Sequence, residues 1–176
     1  MFYAGYKKAS IENGIGCRTS LFVSGCTHKC KGCFNSEAWD FNYGHQMTDE
    51  KEDEIIDTLK EKYIDGLTFL GGEPMEPQNQ EGVLRIIKKA RKKYPNKTIW
   101  LYSGYTWEQL NDPEYKRAYT KYTKDIIENI DILVDGEFVL EEKDLSLLFR
   151  GSRNQRVIDV KNSLKKGEVV LSEYNK

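Results

Sequence analysis

Cys26, Cys30 and Cys33 fall within eight residues, in the run Ser24-Gly25-Cys26-Thr27-His28-Lys29-Cys30-Lys31-Gly32-Cys33-Phe34. Three thiols this close cannot pair off as disulfides, because one is always left over and near neighbours in a tight loop rarely reach disulfide geometry. Metal ligation gives the crowding a chemical purpose. Thiolates are soft ligands that select zinc, copper(I) or iron–sulfur clusters. Structural zinc takes four protein ligands, usually as two separated pairs, so this compact triplet would need Cys17 or a histidine to complete it. A 4Fe-4S cluster on three thiolates needs no fourth protein ligand and leaves one iron open for a substrate, much as a catalytic zinc keeps an open position. The cluster is the better fit, with zinc as its rival.

In parallel α/β sheets, ligands sit beyond the carboxyl ends of the strands. The elements that deliver the candidate residues therefore matter. Thr19-Ser20-Leu21-Phe22-Val23 reads as a buried strand that ends at the cysteine loop. Thr48 with Asp49 and Glu50 is a helix start, and Ile55, Ile56, Leu59 and Tyr63 make its apolar stripe. Leu67-Thr68-Phe69-Leu70 is a second strand, running into Gly71-Gly72-Glu73-Pro74. Val83, Leu84, Ile87, Ala90 and Tyr94 mark a second amphipathic helix, closed by Pro95-Asn96. Residues 98–102 form a third strand before Ser103-Gly104-Tyr105, and a helical region over about 107–129, broken near Pro113, leads to a fourth strand at 131–134 that stops at Asp135-Gly136. Residues 156–160 and 168–171 read as further strands, and the chain up to about Ile11 carries no clear signal.

Strands alternating with helices imply right-handed crossovers and a mostly parallel sheet. No repeat or linker-like composition divides the chain, so residues 1–176 are expected to form a single domain. A complete eight-stranded barrel takes about 250 residues. The expected fold is therefore α/β, an open, partial β/α barrel.

Each strand end then carries a candidate. Gly71 and Gly72 permit close backbone approach, so that main-chain carbonyls can meet a bound ammonium group, and Glu73 adds an acceptor. Asp135 offers a ribose a hydrogen bond, although an aspartate before glycine is also a turn former. His28 reads as a neighbour of the metal centre or as an exposed residue, and Cys17 as a small buried one.

The C-x3-C-x2-C spacing resembles the signature of the radical S-adenosylmethionine enzymes, and Gly71-Gly72-Glu73-Pro74 resembles their second motif. Gly14-Ile15-Gly16-Cys17-Arg18, Leu21-Phe22-Val23-Ser24-Gly25-Cys26, Gly32-Cys33-Phe34-Asn35, Ser103-Gly104-Tyr105, Leu133-Val134-Asp135-Gly136 and Arg150-Gly151-Ser152-Arg153-Asn154-Gln155-Arg156 extend the likeness. Together these resemble, over most of the chain, the activating proteins of anaerobic ribonucleoside-triphosphate reductase.

The resemblance implies a partial barrel of the radical S-adenosylmethionine type, with one 4Fe-4S cluster on Cys26, Cys30 and Cys33. It implies S-adenosylmethionine with Gly32, Cys33 and Phe34 beside its nucleoside, Gly71 and Gly72 at its amino group, and Glu73, Ser103 and Asp135 as further contacts. The wider superfamily usually has an aromatic residue before the third cysteine, so Gly32 implies a backbone contact there and not a stacking one. The implied reaction is reductive cleavage to methionine and a 5'-deoxyadenosyl radical, which removes hydrogen from a glycine Cα of the reductase and needs no acid–base residue. The implied partners are that reductase, a one-electron donor such as reduced flavodoxin or ferredoxin, and a second copy in a homodimer. An activase of another glycyl radical enzyme, of the pyruvate formate-lyase type, is the alternative, and a non-enzymatic zinc or redox binding module the more distant one.

Twenty-seven basic against 28 acidic residues leave a net charge of −1 and no global attraction for nucleic acid. The basic run Lys88–Lys93 reads as a solvated helix face near a carboxyl end, where cations suit the dipole. No apolar run approaches bilayer length, so no membrane insertion is expected. Four cysteines without a leader-like segment point to a reducing, cytoplasmic setting.

Overall fold

In the computed structural model, which describes residues 1–176, one sheet joins β1 (Phe2–Ser10), β2 (Arg18–Val23), β3 (His45–Gln46), β4 (Gly66–Gly71), β5 (Thr98–Ser103), β6 (Ile132–Asp135) and β7 (Arg156–Asp159). Their order across it is β3-β1-β2-β4-β5-β6-β7. β2, β4, β5 and β6 are parallel, while β1 and β7 flank them antiparallel and β3 adds to β1. The sheet is parallel through its centre and open at both edges, as expected of a partial barrel. No helix is long and apolar enough to cross a membrane.

The strands alternate faces with period two. Leu21, Val23, Leu67, Phe69, Ile99, Leu101 and Leu133 join the core under α1 (Asp49–Asp57), α2 (Pro77–Lys93) and α4 (Thr123–Asn129), and Trp107 and Leu110 of the short α3 (Trp107–Leu110) belong to the same cluster. Trp100, Ile132, Val134 and Val157 form a separate cluster on the other face, with Tyr102, Phe149 and Tyr174 packed on it. On that second face Arg18 is fully buried and all its N–H groups are engaged. Nε donates to Thr68 Oγ1 at 2.8 Å, Nη1 to Thr98 Oγ1 at 2.9 Å and Ile15 O at 3.3 Å, and Nη2 to Leu67 O at 3.0 Å and Thr98 O at 2.9 Å. Burial pulls its pKa down to about 10. The guanidinium ties β2, β4 and β5 together at the strand ends remote from the cysteine loop.

Local chemistry sets the helix ends. Thr48 Oγ1 accepts the Lys51 N–H at 3.2 Å, and acidic residues fill the first turn of α1. Pro77 opens α2, which closes on Arg91, Lys92 and Lys93. The basic face expected there is matched by carboxylates: Lys88 pairs with Asp125 at 2.9 Å, Lys89 with Asp53 at 3.0 Å and Lys93 with Asp57 at 3.2 Å.

Four expectations are corrected. β1 was without signal because Gly5, Lys7 and Lys8 interrupt any apolar alternation; β2 supplies its register. The first helix ends at Asp57 in a short 3-10 turn, so Tyr63 falls beyond its stripe and is 55% exposed. Val160 opens α5 (Val160–Lys166) instead of continuing a strand, because Asp159 caps it by accepting the Asn162 N–H at 3.0 Å. Residues 168–171 contribute only a bridge from Leu171 to Ile158.

Asp131 joins three elements. It accepts from Ile99 N at 2.7 Å, from Arg91 Nη2 at 2.7 Å and from Lys161 Nζ at 2.6 Å. Burial alone would raise its pKa, but Lys161, the Ile99 N–H and Arg91 together hold it below the ordinary carboxylate value. A carboxylate lowered by folding contributes fully above its unfolded pKa and loses that contribution as the pH falls through the folded one. Asp131→Asn should therefore lower the urea midpoint at neutral pH. The gap from wild type should close as the pH is taken from about 5 towards about 2.

Candidate functional site

Three of the four free thiols, Cys26, Cys30 and Cys33, lie half-buried on the wall of one cavity of about 720 Å³ at the carboxyl ends of the parallel strands. Their loop is pinned along its length. Gly25 N–H donates to Ala38 O at 2.8 Å and Cys26 N–H to Trp39 O at 3.1 Å, so the following segment backs it. Glu76, which opens the turn into α2, accepts from Thr27 N at 2.7 Å and Thr27 Oγ1 at 2.6 Å. Asn79, one turn further, donates from Nδ2 to Ser24 O at 2.9 Å and Glu73 O at 3.0 Å. Sequence reasoning missed Glu76 and Asn79; their only signal was their position directly after the Gly-Gly-Glu-Pro turn.

Gly71 and Gly72 line the same cavity. A Cβ on Gly71 (φ +110°) would lie 2.7 Å from the backbone of Phe22 and Val23, and one on Gly72 would lie 2.6 Å from Gly25 O and 2.9 Å from Ala38 O. The two glycines let the second turn press against the cysteine loop.

The remaining expected contacts divide. Cys33 and Phe34 line the cavity, whereas Gly32 (φ +76°) does not: its open side faces Leu140, whose Cδ1 would stand 3.0 Å from a Cβ there. Glu73 borders the cavity but offers it no free acceptor. Its Oε1 accepts from Met75 N at 2.8 Å and Ser103 Oγ at 2.9 Å, and its Oε2 from Gly104 N at 2.6 Å and His28 Nε2 at 3.1 Å. Ser103 is likewise engaged, donating to Glu73 and accepting from Tyr105 N at 3.0 Å. Asp135 lines a neighbouring polar pocket, where it accepts from Trp107 N at 2.7 Å and Arg156 Nε at 3.0 Å. These bonds lock the end of β6.

The late Arg-Gly-Ser-Arg-Asn-Gln-Arg motif acquires a role. Gln155 accepts from Gly151 N at 2.8 Å and donates to Gly136 O at 2.9 Å, Asn154 donates to Glu137 O at 2.8 Å, and Ser152 Oγ accepts from Val139 N at 3.2 Å. The motif thus clamps residues 136–139, which lie on the cysteine loop. Phe138 packs on Phe34 with ring centroids 5.7 Å apart, and Glu137 meets His28 Nδ1 at 2.6 Å. His28 is held between two carboxylates; burial pulls its pKa down, but Glu73 and Glu137 outweigh it and leave the imidazole above its ordinary value.

The donor set suits a cluster and not a single ion. No three His, Cys, Asp or Glu side chains converge where one metal ion would sit. Cys17 precedes the six-residue β2, at its opposite end from the loop, about 20 Å away along an extended strand. It cannot complete a zinc site with the triplet. A cubane gives each thiolate its own iron, so the sulfurs need to be neighbours on one wall and not convergent. Burial pushes the Cys26 thiol up to about 12, with the Glu73 charge adding to it, and burial raises Cys30 as well; a soft metal centre binds by displacing those protons.

A family model described as a 4Fe-4S single cluster domain matches residues 12–158. The anaerobic ribonucleoside-triphosphate reductase-activating protein of Vibrio cholerae serotype O1 is 43% identical over 157 residues, covering 88% of this chain and 96% of that protein. The chain belongs to this family of activating proteins. The member from Escherichia coli strain K12 is 40% identical over 159 residues, 89% of this chain and 97% of its own, and that from Enterobacteria phage T4 is 37% identical over 147 residues, 82% and 85% respectively. Family membership removes the zinc-module reading, in line with the displaced Cys17.

In this activating protein the contact between the two glycine-bearing turns leaves no room for a methyl group at residue 72. Gly72→Ala should cost about 1–3 kcal/mol through overpacking against backbone. The checks are a lower denaturation midpoint and less iron per chain after anaerobic reconstitution.

Proposed function

We propose that Cys26, Cys30 and Cys33 hold the 4Fe-4S cluster, that S-adenosylmethionine occupies the adjoining cavity, and that the chain installs a glycyl radical on anaerobic ribonucleoside-triphosphate reductase. The observation that carries this reading is the meeting of the three thiols with Gly71 and Gly72 on one cavity wall, in a chain of the activating-protein family. When bound, the cluster supplies one electron that breaks a carbon–sulfur bond of S-adenosylmethionine, releasing methionine and a carbon radical that takes a hydrogen atom from a glycine Cα of the reductase.

The chain's own residues position and enclose. Gly71 and Gly72 present bare backbone beside the thiols, which suits hydrogen bonding to an ammonium group. Leu70, Tyr102, Val134 and Phe149 give the cavity an apolar wall that keeps water from a reactive centre. Phe34, 72% exposed at the edge, suits contact with the nucleoside or with the incoming protein loop.

The proposal takes residues 1–176 as one domain, on the strength of the continuous sheet. It assigns the electron to a donor such as reduced flavodoxin or ferredoxin and includes a homodimer, both on family resemblance. A cytoplasmic setting follows from free thiols that must stay reduced.

Reconstituted without oxygen, the protein should bind about four irons per chain. Given S-adenosylmethionine, a reductant and the reductase, it should produce a glycyl radical doublet in the electron paramagnetic resonance spectrum. Cys26→Ala, Cys30→Ala and Cys33→Ala together should abolish both iron and signal. A doublet formed on pyruvate formate-lyase and not on the reductase would sink the partner assignment.

A further inference from the structure

The cysteine loop has two sides. Cys26, His28, Cys30 and Cys33 line the cavity, whereas Lys31, and Lys29 between His28 and Cys30 at φ +51°, do not. Both lysines are exposed, and neither forms an ion pair, because Glu73 and Glu137 are taken up by His28 at 3.1 Å and 2.6 Å. Arg117 stands beside the same loop. Gln80 donates to Met75 O at 2.8 Å and to Ala118 O at 2.6 Å, which holds the segment around Arg117 against the turn whose Glu76 accepts from Thr27. The Arg117 guanidinium lies 5.5 Å from the centre of the Tyr105 ring, and Tyr105 packs on His28 with ring centroids 4.3 Å apart. Arg117 is exposed, forms no ion pair and lies outside the cavity lining.

The basic run of α2 differs, since Asp125, Asp53 and Asp57 neutralise it. Glu141 and Glu142, which follow Leu140 beside Gly32, form no ion pair with Lys29, Lys31 or Arg117. In a chain of net charge −1 these three cations make a local field, which orients a partner of opposite sign. A glycine that gives up hydrogen has to enter the cavity, which these side chains do not line. An electron has no such need, and a donor seated on Lys29 and Lys31 has only the loop itself between it and Cys30. We infer that Lys29, Lys31 and Arg117 form the docking surface for an acidic one-electron carrier protein. The carrier passes one electron inward to the cluster and leaves oxidised by one electron. This rests on the reading that the three thiols hold a cluster.

The test is calorimetric titration of the anaerobically reconstituted protein with an acidic flavodoxin at about 0.01 M and about 0.5 M salt. Methionine release from S-adenosylmethionine is followed alongside, driven by reduced flavodoxin or by photoreduced deazaflavin, a small uncharged reductant. Lys31→Glu with Arg117→Glu should weaken flavodoxin binding by about tenfold or more at low salt and by less than about twofold at high salt. Methionine release should fall with flavodoxin and hold with deazaflavin. Lys165→Glu with Lys166→Glu, the same change of charge on exposed residues of α5, should do neither. Wild-type protein that does not bind flavodoxin, equal losses in the two double variants, a loss that salt does not relieve, or a loss with both reductants would overturn the docking surface. So would unchanged flavodoxin binding with weaker binding of the reductase, which would give the patch to the protein substrate. Wild-type protein that released no methionine with deazaflavin would instead overturn the reading of the thiols as cluster ligands.

Discussion

One buried carboxylate organises the site. Glu73 lies at the exit of β4, and its four hydrogen bonds come from its own turn, from the exit of β5 and from the cysteine loop after β2. A carboxylate in a buried position is tolerated only when its acceptor capacity is filled. The three segments are therefore held to one arrangement, because displacing any of them strands part of the charge. His28 extends the linkage to a fourth strand end through Glu137, beyond β6. The thiols thus ride on a loop whose position is set by polar satisfaction more than by apolar packing.

Backbone proximity is the second constraint. The cysteine loop, the Gly71-Gly72 turn and the segment around Ala38 lie so close that carbonyl oxygens occupy the space where side chains would project. Glu76 and Asn79 add hydrogen bonds from the start of α2, so the helix that crosses to β5 also braces the thiols. A rigid support of this kind suits a centre whose ligands must keep fixed separations.

The sequence carried what depends on near neighbours. The cysteine spacing, the apolar runs of the four parallel strands and the glycine-bearing turns after them are all local, and each is found where expected. Residue roles that depend on distant partners were not legible. Glu73 looks like a free acceptor until His28, 45 positions earlier, and Ser103, 30 later, fill it. Asp135 looks like a ribose contact until Arg156, 21 positions later, pairs with it. Gly32 turns from the cavity because Leu140, far later in the chain at the start of a short 3-10 turn (Leu140–Glu142), covers its open side. β1 failed for a related reason: an outer antiparallel strand takes its register from its neighbour, and Phe2–Ser10 has little alternation of its own.

The polar residues around the cavity also bear on the kind of chemistry it can perform. A general acid or base needs a titratable group with a free lone pair or proton directed at the substrate. Glu73 has neither, Asp135 faces another pocket, and His28 is fastened by both ring nitrogens to carboxylates. These groups brace the loops. Such a site suits a reaction whose bond-breaking is driven by electron transfer, in which the protein supplies placement and dryness. The apolar wall of Leu70, Val134 and Phe149 belongs to the same logic, since a carbon radical free to reach other C–H or S–H bonds would take hydrogen from them before it met its glycine.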